Sequence, residues 1–146
     1  NIMWMYICKI KGYDTFSSFQ KFANNVSETK DQLISLLGKI KSEGGTVAGY
    51  GASGRANTMI QYCDISEELV SYMIDDAPAK TGFYTPASHL EIFTREILLG
   101  KDAPDYVLVF AWSFFDEILH RNQRYIDNGG RLILPLPSVK IYPERI

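Results

Sequence analysis

The chain carries, between residues 46 and 58, the stretch Thr46-Val-Ala-Gly-Tyr-Gly-Ala-Ser-Gly-Arg-Ala-Asn-Thr58. A short apolar run leads into three closely spaced glycines, and a run typical of a helix, Arg55 to Cys63, follows. Such a turn is a common phosphate-binding device, because the first N–H groups of a helix are unsatisfied and its dipole favours an anion. We expect Gly49 to allow the tight turn, Gly51 to let a ligand approach the backbone, and Gly54 to let helix and strand pack closely. A turn with a purely structural role is the alternative.

Size and composition indicate a single globular domain. The length of 146 residues suits one hydrophobic core, and the 46% hydrophobic and 22% charged residues are ordinary for a soluble protein. The net charge of −2, with no basic block, argues against nucleic acid or an anionic membrane as a partner. No apolar run approaches the roughly 20 residues of a membrane helix. Cys8 and Cys63 lie in apolar runs, which predicts buried reduced thiols and a cytoplasmic location. Because the first residue is Asn, we expect the chain to be part of something longer.

A long amphipathic helix is predicted before the glycine turn. Its apolar residues alternate at spacings of three and four, at positions 16, 19, 23, 26, 33, 37 and 40, and Lys30 interrupts them once. This spacing predicts a helix of roughly 30 residues, capped by Asp14 or Thr15 and ended by Gly44-Gly45. Two interpretations stay open. The helix packs along the sheet, or it connects to a neighbouring domain or a second copy.

The rest of the chain alternates between strand and helix patterns, which predicts a parallel sheet with right-handed crossovers. One helix is expected over residues 114–126, capped by Ser113, and the strands are expected at residues 47–50, 68–74, 90–93, 106–110 and 131–135. The predicted fold class is α/β: a Rossmann-like doubly wound, mostly parallel sheet with helices on both faces, preceded by a long N-terminal helix. Residues 1–10 are predicted to form a short strand, residues 13–45 the long helix, and residues 46–146 the domain that contains the parallel sheet.

Three segments are expected to meet at the carboxyl ends of the strands, where such sheets bind ligands. They are the glycine turn, the strand end at Asp75-Asp76, and the turn Ala111-Trp112-Ser113. Asp75 follows Gly54 by about 20 residues, the spacing at which dinucleotide folds place an acid that holds a ribose. This spacing leaves a nicotinamide-dependent, NAD(P)-binding oxidoreductase domain as an alternative.

Several polar or aromatic residues near these segments have both a binding and a structural interpretation. Arg55 is expected to contact a phosphate or to be a solvated charge, and Trp112 to stack on a base or sugar or to pack in the core. The long loop at residues 80–89 is a functional candidate on its length and aromatic content. No residues form a nucleophile–base pair or a metal cluster, so we assign no catalytic and no metal residue.

A set of motifs in fixed order resembles the C-terminal domain of the bacterial C-methyltransferases that act on nucleotide-linked deoxysugars. The resemblance covers roughly residues 13–137. It rests on Gly49-Tyr-Gly-Ala-Ser53, Asn57-Thr58, Tyr62-Cys63, Asp75, Pro78, Lys80, Gly82, Tyr84-Thr-Pro86, His89, Pro104-Asp-Tyr-Val-Leu108, Ala111-Trp112, Asp116-Glu-Ile118 and Gly129-Gly130.

The resemblance implies that a preceding domain, not in this chain, binds S-adenosylmethionine, and that the nucleotide-linked sugar lies in the cleft between the two domains. It implies in addition that residues 1–12 are a remnant strand or linker from that preceding domain, 13–45 the connecting helix, and 46–146 the Rossmann-like C-terminal domain. The proton-abstracting base is then expected to lie mostly outside this chain. The residues expected to bind the substrate or shape its cleft are Gly49, Tyr50, Gly51, Ala52, Ser53, Gly54, Arg55, Asn57, Thr58, Asp75, Lys80, Tyr84, Thr85, Pro86, His89, Trp112 and Ser113. A third alternative is a non-catalytic module that self-associates through the long helix.

The chain departs from the family pattern at a few positions. Gly54 and Ala56 stand in the opposite order to the usual small residue and glycine, Ala87 replaces a glycine, and Glu91 replaces a proline. The acidic residue that precedes the glycines of many S-adenosylmethionine sites is missing, which favours a substrate-side domain.

Overall fold

The computed structural model describes residues 15–144, and the strand predicted at residues 1–10 lies outside them. Within this range, six strands form one sheet. Their bounds are β1 Val47–Tyr50, β2 Met73–Ile74, β3 Ile92–Phe93, β4 Tyr106–Val109, β5 Arg131–Leu134 and β6 Lys140–Tyr142. Their order in the sheet is β3-β2-β1-β4-β5-β6. The first five are parallel, and β6 runs antiparallel to β5. The strand order reverses between β1 and β4, so the chain leaves the neighbouring ends of these strands in opposite directions.

Helices cover both faces of the sheet, as predicted. They are α1 Phe16–Ser42, α2 Gly54–Cys63, α3 Phe115–Arg121 and α4 Gln123–Asp127, with single 3-10 turns at Pro78–Lys80, Arg95–Leu99 and Trp112–Phe114. On one face α1 and α2 pack against alternate strand residues such as Val47 and Leu108. On the other face α3 and α4 pack against the intervening residues, such as Ala48 and Val107. The period-two alternation of each strand therefore supplies two separate cores.

Helix α1 has the predicted length and ends but is only partly packed. The hydroxyl of Thr15 accepts the N–H of Ser18 at 3.2 Å, which confirms Thr15 as the cap. Its buried residues are all in the second half: Leu33, Leu37 and Ile40. The first half, Phe16–Thr29, carries no buried side chain, and we call it the overhang. Because α1 leads into β1 through a short turn, it runs antiparallel to β1, and the overhang points toward the carboxyl ends of the strands.

Two predicted elements were wrong in extent. The strand expected at residues 68–74 is reduced to Met73–Ile74, because the N–H groups of Leu69 and Val70 donate to Ser66 O at 3.0 and 3.1 Å in a turn. The single helix expected at residues 114–126 is two helices that meet at Asn122. This buried side chain donates to Ile118 O at 2.7 Å.

The start of α3 and the last strand also differ from what the sequence predicts. Ser113 does not cap a helix; it lies within the 3-10 turn Trp112–Phe114, and α3 begins after Phe114 without a side-chain cap. Strand β6 was not predicted. It follows a proline-rich turn and forms the antiparallel edge of the sheet, with Ile133 opposite Ile141.

Candidate functional site

The glycine turn and the turn after β4 touch each other at the reversal of strand order. Gly51 has a φ of +95°, and a Cβ there would lie 2.8 Å from the Cβ of Ala111. Position 51 therefore requires a glycine because Ala111, in the turn after β4, lies so close to it. A Cβ at Gly49 would strike Met73 and Phe110 in the core, so this glycine serves packing under the strand.

Gly54 has a different role from the one expected. A Cβ at this position would meet no atom within 4 Å, so close packing of helix on strand does not depend on it, and that prediction is wrong. Ser53 caps α2 through a long bond of 3.4 Å from the N–H of Ala56. The hydroxyl of Thr58 donates to Gly54 O at 3.0 Å, and Asn57 is half-buried on the same first turn. The start of α2 therefore faces solvent, and no side chain at position 54 covers it.

Arg55 joins the two turns. Its Nη1 donates to the Ser113 hydroxyl at 2.8 Å, and its guanidinium carbon lies 5.3 Å from the ring centroid of Trp112. Arg55 and Ser113 are exposed, and Trp112 is half-buried. The structure thus brings together the predicted site residues Ser53, Gly54 and Arg55 with Trp112 and Ser113, a cation and an aromatic face beside a helix start.

Asp75 and Lys80 lie behind this turn and bond to each other. Lys80 Nζ donates to Asp75 Oδ2 at 2.9 Å and to the carbonyl of Ala52 at 2.8 Å. The other oxygen of Asp75 accepts the N–H of Ala77 at 2.9 Å, and Asp75 is only 9% exposed. Both carboxylate oxygens therefore already have partners within the chain.

Tyr50 belongs to the core on the opposite face. It is 2% exposed, and its hydroxyl donates to Asp76 Oδ1 at 2.8 Å. Burial, and then the neighbouring Asp76 carboxylate, raise the pKa of Tyr50 well above its ordinary value, so the phenol stays protonated and donates. Asp76 also pairs with Arg121 at 3.3 Å and lies 3.9 Å from Arg95. Asp76 and Arg121 line a cavity of about 290 Å³ beside Gly51 and Ala111. The sequence offered one signal for this cluster, the second acid of Asp75-Asp76.

The loop after β2 is organised around Thr85. Its hydroxyl accepts the N–H of Leu90 at 2.9 Å and lies 2.8 Å from the hydroxyl of Ser88, and the residue is 5% exposed. Tyr84, Pro86 and His89 are exposed, and His89 has a φ of +51°. Thr85 thus shapes the loop from inside, and Lys80 connects the loop to the glycine turn.

Sequence reasoning missed an apolar groove between α1 and α2. It encloses about 410 Å³ and begins at Arg55 and Trp112. The overhang contributes Phe22 and Val26 to its wall, and Lys30 crosses it to donate to Tyr62 O at 2.8 Å. The groove is continuous with the turn region, because Trp112 lines both.

Across residues 15–144, no group of three or more His, Cys, Asp or Glu residues could hold a metal ion. Within the same range, no helix combines the length and the hydropathy that crossing a membrane requires.

Comparison with known proteins gives the family. The family described as C-methyltransferase C-terminal domain matches residues 8–137. The chain is similar to the C-methyltransferase NovU of Streptomyces niveus, with 29% identity over 123 residues. This alignment covers 84% of the chain but only 29% of NovU, so the chain spans less than a third of that relative. The extent of the family match, together with the Rossmann-like sheet described above, shows that this chain belongs to the C-methyltransferase C-terminal domain family.

Proposed function

We propose that the chain is the substrate-side domain of an S-adenosylmethionine-dependent C-methyltransferase that acts on a nucleotide-linked sugar. In this proposal a preceding domain binds the methyl donor, and the isolated chain transfers no methyl group. The family supports the reaction class, and the short span of NovU that the chain covers supports a division of labour between domains.

The observation that carries the proposal is the Arg55 bridge. Arg55 reaches from the start of α2 across to Trp112 and Ser113, at the place where the strand order reverses between β1 and β4. Open α/β sheets bind their ligands at this place. The cation and the helix start match the diphosphate of a nucleotide-linked sugar, and the aromatic face matches its rings.

The diphosphate would lie against Ser53 and the first turn of α2. Backbone N–H groups and the helix dipole favour an anion there, and the Arg55 guanidinium would add a charge-assisted bond. A phosphate that binds Arg55 would replace the neutral Ser113 hydroxyl with a charged acceptor, which can take two parallel N–H bonds from the guanidinium. The face of Trp112 would carry the base or the sugar ring.

The overhang supplies a surface for the methyl-donor domain. Phe16, Phe19 and Phe22 are 81%, 62% and 68% exposed, far more than a core-facing helix stripe would be. Because the overhang points toward the substrate edge, a domain that packs on it would close the site from that side and exclude water. The alternative is that two copies of the chain associate through the overhang, as a non-catalytic assembly module would do.

The methyl group would go to a sugar carbon made acidic by a neighbouring keto group. This chain's part would be to hold the diphosphate and orient that carbon toward the other domain. The proton-abstracting base would belong mainly to that domain, and cytoplasmic location is part of the same proposal.

The geometry gives the nicotinamide-dependent alternative no support. That alternative needs Asp75 to accept the hydroxyls of a ribose. The carboxylate is buried and bonded to Lys80 and to the N–H of Ala77 instead.

The experiment is a methyl-transfer assay with labelled S-adenosylmethionine and a thymidine-diphosphate-linked 4-keto-deoxysugar. We expect no product with the 146-residue chain alone, and product when the chain is joined to its methyl-donor domain. In the joined protein Arg55→Ala should raise the KM for the sugar nucleotide, whereas Arg124→Ala, an exposed arginine on α4, should not. Methyl transfer by the chain alone would overturn the division of labour.

A further inference from the structure

Lys80 was expected to contact the substrate, but its ammonium group is committed to the protein. It donates to Ala52 O at 2.8 Å and to Asp75 Oδ2 at 2.9 Å. We propose that Lys80 is a positioning residue: with Asp75 it holds the glycine turn in the shape that receives the diphosphate, and it does not itself touch the substrate. This inference rests on the proposed function for the identity of the ligand.

Ala52 is the point at which the turn needs an outside partner. The N–H of Gly51 donates to Ile74 O at 2.8 Å, and from Ser53 onward the backbone is held by the first turn of α2. The carbonyl of Ala52 lies between these two supports, and its partner is Lys80. Fixing this carbonyl fixes the peptide that precedes Ser53, and with it the direction of the helix start.

Asp75 is what keeps Lys80 in place. The carboxylate accepts the N–H of Ala77, and the Asp75 side chain is 11% exposed, whereas the Lys80 side chain is 42% exposed. Without a partner, a lysine this exposed would sample several rotamers, because its ammonium group is well hydrated in each of them. Pairing with a nearly buried, oriented carboxylate removes that freedom. The ion pair therefore works as a brace between the end of β2 and the turn.

The brace also couples the turn to the loop after β2. Lys80 ends the 3-10 turn Pro78–Lys80, and two residues later the N–H of Gly82 donates to Ile92 O at 2.9 Å. A shift of this loop would move Lys80 and release the Ala52 carbonyl. The loop thus affects ligand binding through the turn.

A double-mutant cycle on the full 146-residue chain separates positioning from direct contact. The variants are Lys80→Met, Asp75→Asn and the double variant, with Lys101→Met, an exposed lysine remote from the turn, as the control. Calorimetric titration with thymidine diphosphate measures the affinity of each variant. If Lys80 positions the turn, Lys80→Met and Asp75→Asn each weaken binding about tenfold, and the double variant loses no more than either single one. If Lys80 binds the diphosphate directly, Asp75→Asn frees the ammonium and binding stays equal or tightens, which overturns the proposal.

Amide hydrogen exchange tests the brace without any ligand. Lys80→Met should speed exchange at the N–H groups of Gly51, Ala56 and Asn57 about tenfold, and leave the amides of α4 unchanged. The melting temperature should fall by only a few degrees, whereas a merely structural loss would speed exchange throughout the core. Unchanged exchange at the turn would refute the brace. If the wild-type chain binds no thymidine diphosphate but exchange responds as expected, the binding claim of the proposed function fails and the positioning role of Lys80 stands.

Discussion

The guanidinium of Arg55 lies over the indole ring of Trp112, with 5.3 Å between its central carbon and the ring centroid. Arg55 lies in the first turn of α2 and Trp112 begins the 3-10 turn after β4, so the stack spans the two turns that leave the sheet in opposite directions. Arginine suits this position because its planar group stacks on a ring and still presents donors at its edge. One of those donors already points at the hydroxyl of Ser113.

Arg55→Lys should weaken binding of thymidine diphosphate almost as much as Arg55→Ala. Lysine keeps the charge but loses the planar fork and the ring stack. The free energy of unfolding should change by less than ~1 kcal/mol in both variants, because Arg55 is exposed and its contacts are screened. Calorimetric titration measures the first effect and urea denaturation the second. Full affinity in Arg55→Lys would show that charge alone matters at this position.

Gly51→Ala and Gly54→Ala should have opposite effects on the free energy of unfolding. Gly51→Ala should cost ~1–3 kcal/mol, because φ is +95° and the new Cβ would lie 2.8 Å from Ala111. Gly54→Ala should be neutral or stabilise by up to ~1 kcal/mol, because it begins α2 and faces open space. Urea denaturation of both variants provides the comparison. Equal losses would contradict the placement of Gly54.

The two halves of α1 should differ sharply in their effect on folding. Phe19→Ser should change the free energy of unfolding of the isolated chain by less than ~0.5 kcal/mol, because Phe19 is 62% exposed. Leu33→Ala should cost ~2–5 kcal/mol, because Leu33 is 1% exposed in the core. Unfolding of the Phe19→Ser variant would contradict an unpacked overhang. Light scattering adds a second readout: a drop in mass in Phe19→Ser would show that a second copy covers the overhang, instead of the methyl-donor domain.

Much of the architecture could be predicted from local patterns. The runs Val47–Tyr50 and Tyr106–Val109 are apolar on both faces, and a buried parallel strand requires this. The strand predicted from residue 68 was too long because Leu69 belongs to a turn that begins at Ser66. The residue pattern alone does not decide between a strand and a turn there. Strand β6 has three residues after a proline-rich turn, too short to give a periodic signal. The two helices meet at Asn122, whose buried side chain donates to Ile118 O, a contact that the sequence pattern does not reveal.

The site was predictable in place but not in detail. Strand ends in a parallel sheet meet at one edge, so the meeting of the glycine turn with Ala111 and Trp112 could be expected. The partners of long side chains could not, because lysine and arginine reach many positions from one backbone. Hence the bond from Lys80 to Ala52 and the burial of Tyr50 against Asp76 emerged only in three dimensions.

Asp105 should make stability depend on pH in the acid range. It accepts the N–H and the hydroxyl of Thr46, both at 2.8 Å, and these bonds hold the pKa of Asp105 below its ordinary value. A depressed folded pKa means that the stabilisation is present above the unfolded value of about 4 and is lost as pH falls through the folded pKa. The difference in unfolding free energy between wild type and Asp105→Asn should therefore be constant above about pH 5 and shrink below about pH 4. It should stay under ~1 kcal/mol because the carboxylate is exposed.

Urea denaturation at several pH values measures this difference. A difference that grows toward low pH would contradict the sign of the shift.

The most direct test of the substrate site is a titration of the isotopically labelled 146-residue chain with thymidine-diphosphate glucose, followed by nuclear magnetic resonance. The account predicts that the largest shifts fall on the backbone amides of Ala52, Ser53 and Arg55 and on the indole N–H of Trp112, and that Arg55→Ala abolishes them. Shifts confined to other surfaces, or no shifts at millimolar ligand, would contradict the claim that this turn forms one wall of the substrate cleft.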